Sequence, residues 1–523
     1  MMPRVFVMII MASVVSSTQA DYRDLCGWTD LVDRIGAEEV PTGASVILGQ
    51  VEAADGSGFY VSFDSGADPA DPDFEGKFVA RRSGGTSTPS SHATMVGRKC
   101  YGLTQGLAPG IDFINAWHVN NWKDSGYMNA GQGASTPPDD AVGDQKIWNH
   151  AWVGSTGNTS ADQDLLRRMD WVVSRDDVIV VAGLNNGSQQ QPLLSYGFNI
   201  IAVGRRDGDH AAGTVPSGWD GVGRQRPDIT GPLNTTSEAI ATVSAASAML
   251  VQQVRDSSSL PAEAESPEVI KAILMAAAIH EGANGQAWTN GASQSGSDRG
   301  ITDQPLDATV GAGHLDVNHA HLLMASGQQA GAASGEAPAA RAGWSLETIS
   351  PGEQRSWLFE SAGITSEFSA LVTWNRTIAN NFASFSLADF NLELLRLTPE
   401  GITALTGSRG VDCFDAGAVA SRSTVDNVEH LHVTGMQPGR YVLRLTRPDG
   451  DAGGNDIRAG IAWIGTEPVI DSDVDGDASI GVLDLLIMLR QWGTCDLCDG
   501  DVDGSGSIDA IDLQYLIDAW LGL

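Results

Sequence analysis

The chain has 523 residues, enough for several domains, and its 42% hydrophobic and 18% charged content is that of a globular protein rather than a disordered one. Lys and Arg number 31 against 65 Asp and Glu, a formal net charge of −34, so phosphate backbones and anionic lipid surfaces are poor partners and no nucleic acid is expected. Five cysteines cannot all pair within one chain, which excludes a disulfide-stapled scaffold, and the 61 glycines follow no collagen period.

Residues 1–20 have the layout of a secretory signal. Arg4 leads an apolar run from Val5 to Val15, and small residues run on to a cleavage point after Ala20. That run is too short to cross a bilayer, so the protein is expected to be secreted, with no membrane span. A short N-terminal segment (21–42) precedes an alternation of strand-like and helix-like stretches over 43–325. Val46-Ile47-Leu48 and Val178-Ile179-Val180-Val181 read as parallel strands covered on both faces, and Leu165, Leu166, Met169, Val172 and Val173 form one helical stripe. The pattern predicts a three-layer α/β domain with a parallel sheet. Residues 326–343, rich in Ala, Gly and Ser, read as a linker. Short alternating runs separated by turn pairs over 344–467 predict a small antiparallel β-sandwich.

The segment 471–523 holds twelve Asp and one Arg, a formal charge of −11. Asp473, Asp475, Asp477 and Asp484 in one loop recur as Asp501, Asp503, Ser505 and Asp512 in the next, with Asp509 beside the last, and each loop runs into an apolar helix. Oxygens at loop positions 1, 3, 5 and 12 suit a hard cation, which predicts calcium, two ions in all. The tandem resembles a type I dockerin, an all-α pair of loop–helix motifs, and the resemblance implies docking onto a cohesin-type scaffold protein. Three features depart from that pattern: Ala478 at position 6, a repeat distance of 28 residues, and Val482-Leu483 and Ala510-Ile511 at the recognition positions. Cys495 and Cys498 between the repeats read as a local disulfide or, with two further ligands, a zinc site.

In the α/β region a small-sided, nearly uncharged helix opens at Ser237. Its free N–H groups and positive dipole end favour developing negative charge, so Ser237 is either a nucleophile or a helix cap. The stretches HATMVG (92–97), GLAPG (106–110), VVAGLNNG (180–187), RPDITGP (226–232), TSEAIATVSAASAML (236–250) and VGAGHLDVNHA (310–320) resemble, in order and wording, the blocks of the subtilisin-like serine peptidases. The resemblance implies a subtilisin-like domain with Ser237 as nucleophile, His92 as general base and Asn185 as oxyanion donor. The family's Asp falls at Glu52, one methylene longer, with Asp55 as the competing acid. IWNHAWVGS (147–155) resembles the family's substrate-pairing strand, and Trp148 and Trp152 read equally as cleft or core. Asp426, Glu429, His430 and His432 alternate along a strand and read as a solvated face rather than a metal site.

Together these features predict a secreted serine endopeptidase acting on polypeptide and tethered through a calcium-loaded module. The alternatives are a catalytically inactive peptide-binding scaffold of the same fold and a subunit of a polysaccharide-degrading assembly. No acid pair is placed for glycoside hydrolysis.

Overall fold

The computed structural model describes residues 21–54, 58–61, 71–84, 88–133, 136–451, 455–466, 472, 474, 480–494, 498, 500–502 and 507–521. The proposed signal, 1–20, lies outside them, as do Asp55, Asp473, Asp475, Asp477, Cys495, Asp503 and Ser505.

Seven parallel strands form the first sheet: β1 (Ile47–Glu52), β2 (Phe78–Arg81), β3 (Phe113–His118), β4 (Gln145–His150), β5 (Ile179–Gly183), β6 (Ile201–Arg205) and β7 (Ile229–Gly231). Their order is β2-β3-β1-β4-β5-β6-β7, so β1 is an interior strand, paired in register from Ile47↔Phe113 to Glu52↔His118. The helices of this part are α1 (Trp28–Ile35), α2 (Ser91–Cys100), α3 (Val119–Asn121), α4 (Thr159–Asp176), α5 (Thr236–Asp256), α6 (Pro267–Ala276) and α7 (Val317–Ala325). One apolar core lies where α2, α5, α6 and α7 cover a sheet face, and a second, rich in tryptophan, lies under α4. This is the three-layer arrangement expected from continuous apolar strands. Strand alternation turns Leu48, Gln50 and Glu52 toward α2 and α5, and Val51 toward the tryptophan core. Helix α5 is buried almost continuously from Ala239 to Val251, as its Ala, Ser and Thr side chains require. Gly183 permits this approach, since a Cβ there would lie 2.4 Å from Ile240 Cδ1.

Beyond this domain the strands are β8 (Ile301–Thr302), β9 (Ala337–Pro338), β10 (Ala342–Ile349), β11 (Gln354–Ser361), β12 (Thr365–Trp374), β13 (Thr377–Ile378), β14 (Phe385–Ser386), β15 (Asn391–Thr398), β16 (Gly401–Ala404), β17 (Ala416–Gly417), β18 (Ala420–Ser421), β19 (Val428–Met436), β20 (Gly439–Thr446) and β21 (Ile457–Gly465). Apart from β13 and β14, which pair with each other, they build two facing, mainly antiparallel sheets, β10-β21-β12-β19-β17 and β8-β18-β15-β20-β11-β9 with β16 beside β15, around a core that includes Trp357, Trp374 and Trp463. Strand β8 comes from the 43–325 region and pairs in parallel with β18.

The 326–343 stretch does not behave as a free tether. Gln329 accepts from Ala340 N–H, donates to Ala342 O and receives the Trp357 indole N–H on its carbonyl at 2.7 Å. Gly331 lies close against the sandwich, where a Cβ would meet Trp357 at 2.7 Å. The outer face of the five-stranded sheet is buried too, since Trp344, Leu371, Val428 and Ala462 belong to the core of the α/β domain. Gly460 allows β21 to press on the start of α6, where a Cβ would stand 2.4 Å from Glu268 O. The seam carries a fully buried ion pair, Arg376–Asp170 at 2.5 Å, and Arg458–Glu268 at 2.8 Å. Among the described residues no helix is long and apolar enough to cross a membrane.

Candidate active site

Glu52 is the last residue of β1, so its side chain leaves the strand's carboxyl end facing α2. The Ser90 hydroxyl caps α2 by accepting from Ala93 N–H, which sets His92 in the helix's first turn. The two side chains meet with His92 Nδ1 2.7 Å from Glu52 Oε2, and His92 Nε2 lies 3.0 Å from Ser237 Oγ. The carboxylate accepts, so Nδ1 carries the ring proton and Nε2 presents its lone pair to the serine hydroxyl. The longer glutamate stem thus reaches the imidazole.

The choice left open for Ser237 is resolved by its neighbour. Thr235 is the cap of α5, its Oγ1 accepting from Glu238 N–H at 3.2 Å. Ser237 therefore sits inside the first turn with its hydroxyl directed to His92, at the helix end where backbone N–H groups favour negative charge.

Behind the acid lies a layer that the motifs did not reveal. Gln50 Nε2 donates to Glu52 Oε1 at 2.7 Å and to Ala93 O at 3.0 Å, tying the strand that carries the acid to the helix that carries the base. The Tyr101 hydroxyl donates to Gln50 Oε1 at 2.5 Å, which fixes the amide's orientation. Glu52 is completely buried; that burial pushes its carboxyl above the ordinary range, against the pull of the His92 and Gln50 hydrogen bonds.

A cavity of about 400 Å³ opens in front of Ser237, bounded by His92, Asn186, Trp152, Val153 and Ile240. A cleft of similar size, about 390 Å³, between α4 and the sandwich is lined by Arg175, Glu268, Arg376 and Arg458 and holds no part of the Ser–His–Glu line. Trp148 is core, 1% exposed and packed among Trp117, Trp122 and Tyr127, whereas Trp152 lines the cavity with its indole N–H held by His150 Nδ1 at 3.1 Å. Burial lowers His150 to about 3, which keeps it a neutral acceptor for that bond.

Asn185 requires a correction. Its side-chain amide donates to Gln189 O at 2.8 Å, its carbonyl accepts from Ala211 N–H, and it does not border the cavity. Asn186 does. Its Oδ1 accepts Thr236 N–H at 2.9 Å, which commits the oxygen and leaves the NH₂ as donor beside Ser237. The sequence resemblance points to Asn185, the first of two adjacent asparagines. The choice is made by the turn around Gly187, left-handed at φ 80°, and by the bridge of Asn186 to His210.

In the C-terminal segment α8 (Val482–Arg490) and α9 (Ala510–Leu521) pack through Met488, Val502, Ile508 and Leu516, joined by the short pair β22 (Gly493–Thr494) and β23 (Ser507–Ile508). Asp484 and Asp512 are equivalent: each is buried in a helix's first turn, with one oxygen accepting the N–H three residues earlier, from Gly481 at 2.7 Å and Asp509 at 2.8 Å. Asp509 spends an oxygen on Ile511 N–H, and Asp501 is half-buried. Cys26, Cys100 and Cys413 are buried thiols, and Cys498 is a free one.

No protein-family model matches the chain, and no curated protein sequence does. Solved structures to which the chain is similar include the Aeromonas sobria serine protease in complex with its chaperone (13% identity, 82% of this chain and 89% of that one, TM-score 0.33). Others are a Pseudoalteromonas arctica protease (17%, 58% and 96%, 0.33) and a cold-adapted subtilisin-like serine proteinase (13%, 47% and 88%, 0.32). At these TM-scores the likeness carries no conclusion, and the chemistry has to follow from the pocket itself.

Proposed function

We propose that the protein is a serine endopeptidase of the subtilisin-like type, acting through Ser237, His92 and Glu52. The observation that carries this reading is the unbroken line from a buried carboxylate through an imidazole to a hydroxyl, at 2.7 and 3.0 Å, ending at a helix N-terminus and an open cavity. Ser237 Oγ attacks the peptide carbonyl while His92 Nε2 takes its proton. Glu52 steadies the imidazolium through Nδ1–H and keeps its own charge. The oxyanion meets the Ser237 N–H and the Asn186 NH₂, donors held before the reaction starts. His92 returns the proton to the leaving amine, and a water molecule repeats the sequence on the acyl-enzyme. Trp152 and Val153 flank the cavity where an extended polypeptide lies.

The protein is further proposed to be exported and to carry two calcium ions. One would be held by Asp473, Asp475, Asp477 and Asp484, the other by Asp501, Asp503, Ser505 and Asp512. What supports this is the matching burial of Asp484 and Asp512, each with one oxygen on a backbone N–H, at the twelfth position of its loop. The ions would draw together carboxylates that otherwise repel. Val482, Leu483 and Ile511 are 56%, 59% and 54% exposed, a surface consistent with docking a cohesin-type partner.

Incubation with a fluorophosphonate probe tests the catalytic reading: wild type is expected to label and Ser237→Ala is not. An unlabelled wild type of intact fold would favour the non-catalytic scaffold. Calcium titration is expected to increase helical content, and a flat response removes the proposed loops.

A further inference from the structure

His280, just beyond α6, meets two strands of the sandwich at the seam. We propose that His280, Glu367 and His432 form a binding site for a borderline divalent cation of the zinc type, joining the α/β domain to the sandwich. His280 Nδ1 lies 2.5 Å and His432 Nε2 3.2 Å from the same oxygen, Glu367 Oε1, and one ligand atom from each residue falls within 4.8 Å of the others.

The strand pattern explains the convergence. In the β12–β19 ladder Ser369 faces His432, Leu371 faces His430 and Glu367 faces Thr434, so period-two alternation sends Glu367, His430 and His432 to the face that meets α6. The alternation that reads as a solvated face in the sequence is therefore an interface, and His280 comes to it from the other domain.

Two imidazole nitrogens and a carboxylate oxygen gathered at one point are a donor set that suits metal ligation as well as hydrogen bonding. A tetrahedral zinc ion with ligands at 2.0–2.2 Å places its ligands about 3.4 Å apart. The His432–Glu367 separation of 3.2 Å is already close to that figure. The His280–Glu367 pair must open from 2.5 Å by about 0.9 Å to reach it. Glu367 is free to make this adjustment, because its side chain is 41% exposed while that of His280 is 2% exposed. The same exposure provides a path for the ion and room for a water in the fourth position.

The His280 and His432 rings stack at 4.0 Å with 16° between their planes, and Trp288 stands edge-on to both at 5.0 Å, so ligation of one ion by both rings requires one of them to tilt out of the stack. His280 Nε2 lies 3.3 Å from His430 Nε2, which also meets Ser369 Oγ at 3.1 Å. With the ion on Nδ1, His280 Nε2–H donates to His430, the outer hydrogen bond that orients a ligating imidazole. Two nitrogens and one carboxylate favour zinc, cobalt or nickel over calcium.

The experiment is titration of full-length protein with zinc chloride in excess calcium, which occupies the acidic C-terminal loops. Wild type is expected to take up one equivalent tightly. Glu367→Gln and His432→Gln are each expected to lower the affinity by about 100-fold or more, beyond the loss of an outer-layer partner. The melting temperature of wild type, and not of the variants, is expected to rise with zinc. Uptake unchanged in both variants, or no uptake by wild type, overturns the proposal. Should a variant fail to fold, cobalt(II) absorption of wild type decides: an intense four- or five-coordinate spectrum supports the site, and a weak octahedral one overturns it.

Discussion

Two of the histidine–carboxylate pairs among the described residues have nearly the same contact and opposite burial. In Glu52–His92 the acid is 0% exposed and the imidazole 35%, with Nδ1 to oxygen at 2.7 Å. In Glu367–His280 the imidazole is 2% exposed and the acid 41%, at 2.5 Å. The difference teaches that the pair has no function of its own. A sunken carboxylate behind a reachable ring can only orient that ring and stabilise its cation, so the chemistry falls to whatever faces Nε2. In the first pair that is the Ser237 hydroxyl. In the second it is another imidazole, His430, so no nucleophile can be activated, and the exposed acid is the part that can move.

The sharpest way to break this comparison is to remove the group facing Nε2. Ser237→Ala is expected to lower kcat for peptide hydrolysis by about 10⁶-fold in a steady-state assay, with folding unchanged by circular dichroism. Glu52→Gln should come next at about 10⁴-fold, since the amide favours the wrong ring tautomer. A variant keeping near wild-type kcat would show that Glu52 is not the orienting acid. Asn186→Ala is expected to cost about 10²–10³-fold in kcat with KM little changed, and Asn185→Ala far less; the reverse order would restore Asn185 as the oxyanion donor. Gln50→Leu removes one hydrogen bond from Glu52, worth about 1 kcal/mol or roughly fivefold in kcat.

A last test concerns stability. Burial raises the folded-state pKa of Glu52, so the folded chain binds this proton more tightly than the unfolded one. The residue's contribution to stability is therefore greatest below the ordinary glutamate value of about 4.3 and declines as pH rises through the raised folded value. Glutamine does not titrate. The melting temperature of Glu52→Gln relative to wild type should accordingly increase from pH 4 to pH 8, and a constant difference would mean that the buried carboxylate carries no such cost.

Much of the α/β layer is legible in the sequence, because buried parallel strands are written as continuous apolar runs and the residues around His92 and Ser237 sit in contiguous blocks. Glu52 is legible for the same reason, ending the apolar run of β1. Asn186 is not, because its role depends on a turn rather than on residue type. Gln50 and Tyr101 are 51 positions apart and give no local signal. The docking of the sandwich is hidden for a related reason: Leu371 and Val428 look like ordinary strand residues until α6 lies against them. His432 reads in the sequence as part of a solvated strand face and His280 gives no signal in its own stretch; only the tertiary fold brings them to one carboxylate.

Strand β8 leaves the α/β half to become an edge of the partner sheet, and β21 rests on the first turn of α6. Heating should therefore melt the body from Asp21 to Thr466 in a single cooperative step. Separately produced halves would each present a torn, greasy surface, so genetic dissection of this chain is better made after Thr466 than at the Ala/Gly-rich stretch that looks like its natural joint.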